Sequence, residues 1–251
     1  MINALFWRPF PVTTLTVRQF IGGKAVLVVA GLSALPCVMA LIYIINPDVE
    51  QARRFITNGV FTQTVMPTLL PFTVLILATA ALGNEIEDRT LPYLTLKPIG
   101  RLRIILGKVV GTVLVAAPII LAGLVLTYLI VFRGDSGDNL RIIGAMAVST
   151  SVAIVAYSAI FILLSLLITR ALVVGIIYTL VWESLLGRFL PGLRVVSVRH
   201  FTRSIFVGIL DDPRVEMANA TSTSAAILTL LSVSVVSIVL ATLRLRRMSL
   251  D

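Results

Sequence analysis

The chain has 251 residues, of which 58% are hydrophobic and 13% charged, and its formal net charge is +9. Soluble domains carry about a quarter of charged residues, so this composition excludes an ordinary soluble domain and indicates an integral membrane protein. In such a protein an excess of bases reports orientation, and we predict no nucleic-acid partner. The single Cys37 excludes an intramolecular disulfide.

The first 24 residues mix aromatic and basic side chains, a combination that suits the membrane interface. We predict a short helix at about 12–23 that lies along the inner membrane surface. A disordered amino-terminal tail is the alternative.

Six apolar stretches follow along the chain. A hydrocarbon core ~30 Å thick needs about 20 apolar residues in a helix, and continuous rather than alternating apolar runs favour helices over barrel strands. We therefore predict one all-α integral membrane domain with six transmembrane helices. The predicted spans are about 25–46, 64–83, 109–132, 142–169, 171–187 and 225–243.

The basic residues predict the orientation. Six spans place both termini on one side, and with the amino end inside, 12 bases fall in inside segments and 4 in the two short outside loops. We therefore expect a multi-pass protein of the cell membrane with both termini in the cytoplasm. The inside bases are Arg8, Arg18, Lys24, Arg89, Lys97, Arg101, Arg103, Lys108, Arg170, Arg244, Arg246 and Arg247.

Between the fifth and sixth spans, residues 188–224 are too polar to cross the membrane and too apolar for a free loop. We predict short amphipathic segments that dip into the outer leaflet. The only histidine, His200, lies there, and one His without a cluster of Cys or acids cannot form an ordinary zinc site. We interpret His200 as an interfacial polar residue and predict no metal site.

Glu183 is the only carboxylate inside a predicted span. Acids within the bilayer are functional candidates, so Glu183 could line a substrate path or a gate. Alternatively, it could lie at the outer interface or pair with Arg188 or Arg194. The strings "GGKAV" and "LGKVV" lack the first Gly and the Ser or Thr of a phosphate loop, so we expect no ATPase site and no cofactor in this chain.

The segment "NEIEDRTLPYLTLKPIGRLRIILGK", residues 84–108, concentrates mixed charge between spans two and three. Three acids precede a short apolar helix that Pro98 ends, and bases then mark the return to the membrane. The short helix has enough apolar surface to dock on a protein groove. A solvated loop would explain the bases equally well, but it would not explain the acids followed by an apolar helix.

This pattern closely resembles the cytoplasmic loop of ABC-2 type transporter permeases, the membrane subunits of one class of ABC transporter. The resemblance implies a coupling helix that receives force from a separate ATP-binding subunit. The residues assigned to this coupling loop are Glu85, Glu87, Asp88, Arg89, Thr90, Leu91, Tyr93, Leu94, Pro98, Arg101 and Lys108.

The resemblance further implies a transport subunit that is not itself an enzyme and that exports its substrate. Two such permease copies, identical or related, would bind two ATPase subunits that hold ATP and Mg. Membrane lipids would surround the assembly. Two other classes of function stay open: a membrane-embedded enzyme acting on lipids or peptides, and a non-enzymatic assembly or channel subunit.

Overall fold

The structure is a computed structural model that describes residues 11–45, 52–83, 100–133, 139–168, 170–180, 197–212, 214–215, 217 and 219–247. Within these ranges the chain is helical and contains no strand. The helices are α1 (Pro11–Ile21), α2 (Lys24–Ile45), α3 (Ala52–Gly83), α4 (Arg101–Phe132), α5 (Leu140–Leu167), α6 (Ala171–Ile177, continued by a π turn to Leu180), α7 (Val198–Leu210) and α8 (Thr223–Arg247).

Five of the described helices, α2, α3, α4, α5 and α8, are long and apolar enough to cross a membrane. The prediction of a helical membrane protein is therefore confirmed for the described residues. Helix α6 lies at the predicted fifth span, but the part of that span beyond Leu180 falls outside the described residues. The exact six-span layout stays a prediction.

Helices α3 and α4 begin earlier than predicted, at Ala52 rather than about 64 and at Arg101 rather than about 109. In α3 the polar residues of the early turns find partners within the helix. The Thr57 hydroxyl donates to the Arg53 carbonyl at 2.7 Å, and the Thr62 hydroxyl donates to the Thr57 carbonyl at 2.7 Å. A hydropathy pattern does not register such bonds, so it begins the helix too late.

Helix α3 is irregular along much of its length. Phe55–Leu69 and Thr79–Gly83 form π-helix, and Leu70–Ala78 between them is α-helical. Pro67 lies inside the first π segment, where its ring supplies no backbone N–H. Because π-helix is rare and occurs frequently at functional sites, both ends of α3 are candidate functional regions.

Helix α5 is the centre of the bundle and packs against α3, α4, α7 and α8. Its longest contact is with α8, and both helices bury small side chains. Such residues let two helix backbones approach closely in a membrane, where burial from water does not drive packing. The buried small residues include Ala145, Ser149, Ala153 and Ala156 on α5, and Ala226, Ser234, Ser237 and Ala241 on α8.

Helix α2 lies at the periphery and contacts α4 through one close crossing. A Cβ atom added at Gly123 of α4 would lie 2.4 Å from the Ser33 carbonyl oxygen of α2. One turn further along, the Cys37 thiol donates to the Gly123 carbonyl at 3.4 Å. A glycine at this position is what allows the two backbones to touch.

Contacts between residues that are distant in the sequence identify the two ends of the bundle. At the loop end, Gly83 ends α3, Arg101 begins α4, and Arg101 donates to the Leu245 carbonyl of α8. At the opposite end, Arg141 of α5 donates to the Ile209 carbonyl at the end of α7 at 2.9 Å. Helices α1 and α8 therefore place residues 11 and 247 at the same end.

Candidate functional site

The last turn of α3 is held by two side chains from other helices. The Gln19 side-chain amide of α1 donates to the Ala80 carbonyl at 3.1 Å, and the Lys108 ammonium of α4 donates to the Ala81 carbonyl at 2.7 Å. The final carbonyls of a helix have no partners within it, so outside donors satisfy them. The point where α3 leaves the bundle is thus joined to α1 and to α4 together.

Lys108 is one of the largest fully buried side chains among the described residues, with 2% of its surface exposed. Lysine is almost never fully buried unless its charge is paired, because the ammonium loses its hydration. The negative end of the α3 dipole and the Ala81 carbonyl meet that need in part. The burial makes Lys108 a fixed link between α3 and α4 rather than a solvated anchor.

Helix α1 lies across α4 on either side of Lys108. Cβ atoms added at Gly107 and Gly111 would lie 2.7 Å from the Val12 Cβ and 2.8 Å from the Thr16 Cβ. Both glycines are therefore required for α1 to lie this close. We name the set of Gln19, Lys108, Gly107 and Gly111, with the carbonyls of Ala80 and Ala81, the loop base, because it holds the end of α3 directly before the segment 84–99.

A second pair of contacts joins the loop end to α8. Arg101, the first residue of α4, donates to the Leu245 carbonyl, and Arg244 of α8 donates to the Leu166 carbonyl at the end of α5 at 3.5 Å. Both acceptors lie in the last turns of their helices, where a cation also meets the negative end of the dipole. The arginines thus connect α4, α5 and α8 at one level.

The predicted coupling residues fall into two groups. Arg101 and Lys108 lie in the first two turns of α4, and they contact different neighbours, α8 and α3 respectively. The others lie outside the described residues, as does Glu183, so their assignments stay predictions. That group comprises Glu85, Glu87, Asp88, Arg89, Thr90, Leu91, Tyr93, Leu94 and Pro98.

Sequence reasoning missed four residues of this region: Gln19, Gly107, Gly111 and Arg244. The string "GKVVG" at 107–111 carried a readable signal, because two glycines four apart on an apolar helix mark a close helix crossing. The sequence analysis assigned Lys108 to the coupling loop and excluded a phosphate loop at this string, but it did not predict the helix crossing. No comparable pattern marks Gln19 or Arg244, whose partners are backbone carbonyls far away in the sequence.

At the opposite end, α7 supplies the amphipathic segment expected between the fifth and sixth spans. Phe206 of α7 packs on Phe61 of α3 with ring centroids 4.6 Å apart. His200 lies 3.4 Å from the Thr221 hydroxyl, in a connection that returns to α8. Burial lowers the pKa of Arg203 on the same helix, but a guanidinium keeps its charge. These contacts indicate packing rather than chemistry.

The interior of the described bundle holds a small apolar cavity between α2, α3 and α4. It is lined by Ser33, Pro36, Val65, Leu69, Thr73, Ile120 and Leu124. Nowhere in the described ranges do three or more His, Cys, Asp or Glu side chains come together in a way that could hold a metal ion.

Comparison with protein families identifies one match. A family model described as "ABC-2 family transporter protein" matches residues 23–185, which include α2 to α6 and every residue of the loop base except Gln19. Comparison with individually curated proteins found no match.

Proposed function

The chain belongs to the ABC-2 family of transporter proteins, and from this premise we propose that it is a permease subunit that exports its substrate with energy from a separate ATPase. The family makes it a membrane component of transport and implies an ABC ATPase partner. The expectation of a permease is therefore confirmed at that level. Export, the route of coupling and the stoichiometry are the proposed part.

The observation that carries the coupling proposal is the loop base. Lys108 and Gln19 fasten the end of α3, which precedes the segment 84–99, to α4 and α1, and α4 itself begins directly after that segment. A force applied to that segment would act on α1, α3 and α4 together instead of bending one helix. Through Arg101 the same movement would reach α8.

The charge distribution supports a cytoplasmic loop end. Nine described bases, among them both described lysines, lie at this end, and seven described arginines lie at the opposite end. Because Lys and Arg accumulate on the cytoplasmic side, the ATPase would approach from the loop end. The described bases of the loop end are Arg18, Lys24, Arg101, Arg103, Lys108, Arg170, Arg244, Arg246 and Arg247.

Chain connectivity supports six crossings. Helix α5 ends at the loop end, where Arg244 meets the Leu166 carbonyl, and α7 ends at the opposite end beside Arg141. The chain therefore changes ends between α5 and α7. Together with the five long helices, this supports our proposal of six passes with both termini in the cytoplasm.

The packing of α5 supports a path between subunits rather than through one. Its small residues are buried against neighbouring helices, and the cavity beside α2 is small and apolar. We therefore propose that two permease copies form the path and bind two ATPase subunits, which would hold ATP and Mg. The copies would be identical or related.

The proposal is tested by co-expressing the chain with the ATP-binding protein encoded beside it and measuring substrate-stimulated ATPase activity in vesicles. Lys108→Met removes the donor to the Ala81 carbonyl, and a hydrogen bond to a charged group contributes ~1.5–3 kcal/mol. We expect stimulation to fall by about tenfold or more while the complex still assembles. Lys108→Arg keeps a charged donor and is expected to restore part of the stimulation.

Lys24→Met is the matched control, because it removes the same charge from an exposed residue at the same end. Glu87→Ala, Leu94→Asp and Arg101→Ala test the predicted coupling residues in the same assay. Normal stimulation in all of these variants, or the absence of any stable complex with the ATPase, would show that the coupling proposal is wrong. Activity of the purified chain without ATP would instead favour a membrane-embedded enzyme.

A further inference from the structure

Two arginines lie beside the carboxyl end of α5, at the loop end. Arg244 reaches the Leu166 carbonyl through its Nε at 3.5 Å, and Arg170 follows Leu166 by four residues, just before α6. Both side chains are exposed. The Arg170 side chain makes no hydrogen bond to any part of the chain that the structure describes.

The contact with the Leu166 carbonyl uses only part of the hydrogen-bonding capacity of the two guanidiniums. A guanidinium has five N–H donors, and the contact with Leu166 uses one donor of Arg244. Within the described residues, no acceptor binds the two Nη groups of Arg244 or the guanidinium of Arg170. No described carboxylate lies at this end that could neutralise them. The pair is therefore a cationic site that lacks an anion within the described chain.

The surroundings of the pair are apolar and face outward. Leu167 is 53% exposed, Leu172 is 42% exposed and Leu243 is 44% exposed. These residues neighbour Arg170 or Arg244 in the sequence and lie on the spans or on α6. Apolar side chains exposed on a membrane helix typically contact acyl chains, so we expect the guanidiniums to lie where an acyl region meets the headgroups.

We propose that Arg170 and Arg244 form a binding site for the headgroup of an anionic phospholipid, with the lipid phosphate between the two guanidiniums. Arginine recognises phosphate through paired N–H donors, and juxtamembrane bases attract anionic lipid. The exposed leucines beside them contact the acyl chains of the same lipid. The site shares no residue with the loop base, although the end of α5 lies beside the end of α3, where a Cβ at Gly83 would lie 3.9 Å from the Ser165 Oγ. The site does not depend on the identity of the ATPase or the substrate.

The test uses the full chain in neutral detergent micelles, with bound lipid counted by native mass spectrometry and the unfolding temperature measured in parallel. Phosphatidylglycerol and phosphatidylcholine of the same chain length are titrated separately, and inorganic phosphate is titrated alone. We expect phosphatidylglycerol to bind and to raise the unfolding temperature, and we expect phosphatidylcholine and inorganic phosphate to have much smaller effects.

Variants then locate the site. Arg170→Gln and Arg244→Gln are each expected to weaken phosphatidylglycerol binding by about fivefold, and the double variant by about 30-fold. Arg214→Gln, an exposed arginine on the connection between α7 and α8, removes the same charge elsewhere and is expected to leave binding unchanged. If Arg244→Gln fails to fold because the Leu166 contact is lost, Arg170→Gln decides alone.

Three outcomes overturn the proposal. Equal binding of the two phospholipids would show that the site does not select an anionic headgroup. Equal stabilisation by inorganic phosphate would show a free-anion site rather than a lipid site. Equal weakening by Arg170→Gln and Arg214→Gln would show a general effect of net charge.

Discussion

Docking of α1 on α4 is the contact whose strength the structure predicts most directly. Replacing Gly107 and Gly111 with alanine in one double variant puts a Cβ 2.7 Å from the Val12 Cβ and another 2.8 Å from the Thr16 Cβ. The atoms that the added methyl groups would clash with are Cβ atoms, which no side-chain rotation can move. The clash can be relieved only if α1 moves away from α4.

The magnitude follows from overpacking at the two sites. Overpacking costs about 1–3 kcal/mol per site, whereas the gain of about 0.5–1 kcal/mol for Gly→Ala inside a helix applies to α4 whether or not α1 is docked, and so it cancels. For two sites the loss is about 2–6 kcal/mol in the free energy of docking. Because 1 kcal/mol corresponds to about a fivefold change in an equilibrium constant, the undocked population should rise at least about 25-fold.

Hydrogen exchange of the full chain in detergent, read on peptides that cover residues 11–21, measures this population. The double variant is expected to exchange at least about 25-fold faster in α1. Gly144→Ala is the control, since a Cβ at that exposed position of α5 meets nothing within 4 Å. Unchanged exchange of α1 in the double variant would refute the close crossing and, with it, the role of α1 in the loop base.

Two further predictions test the fold. Gly123→Ala should lower the unfolding temperature, because its Cβ would lie 2.4 Å from the Ser33 carbonyl oxygen. Gly31→Ala, on the open face of α2, is the control and should leave the unfolding temperature unchanged. Equal unfolding temperatures for the two variants would contradict the crossing of α2 and α4. Asp211 has a φ of 50°, and its ion pair with Arg141 is largely exposed, so Asp211→Gly should relieve about 1 kcal/mol of backbone strain and lose less than that in charge pairing. Denaturant unfolding should show equal or higher stability for Asp211→Gly, and a clear loss would mean that the ion pair dominates.

The residues of the loop region show what sequence reasoning can and cannot reach. Arg101 and Lys108 were predicted as site residues from a charge pattern in one short segment, and both lie at the loop end. Their partners were not predictable, because the Leu245 and Ala81 carbonyls are backbone groups that every residue possesses. Gln19 was missed for the same reason: its acceptor, the Ala80 carbonyl, is 61 residues away.

The sequence by itself determined that the chain is a helical membrane protein and which family it resembles. Both conclusions depend on local properties: hydrophobic length decides whether a helix can cross the bilayer, and the motif at 84–108 is contiguous. Only the tertiary structure decided that Lys108 is buried rather than solvated, and that Gly107 and Gly111 seat α1. The physical reason is that atoms on other helices decide whether a lysine is buried and whether a glycine allows close packing. Hydropathy and local spacing do not specify those atoms.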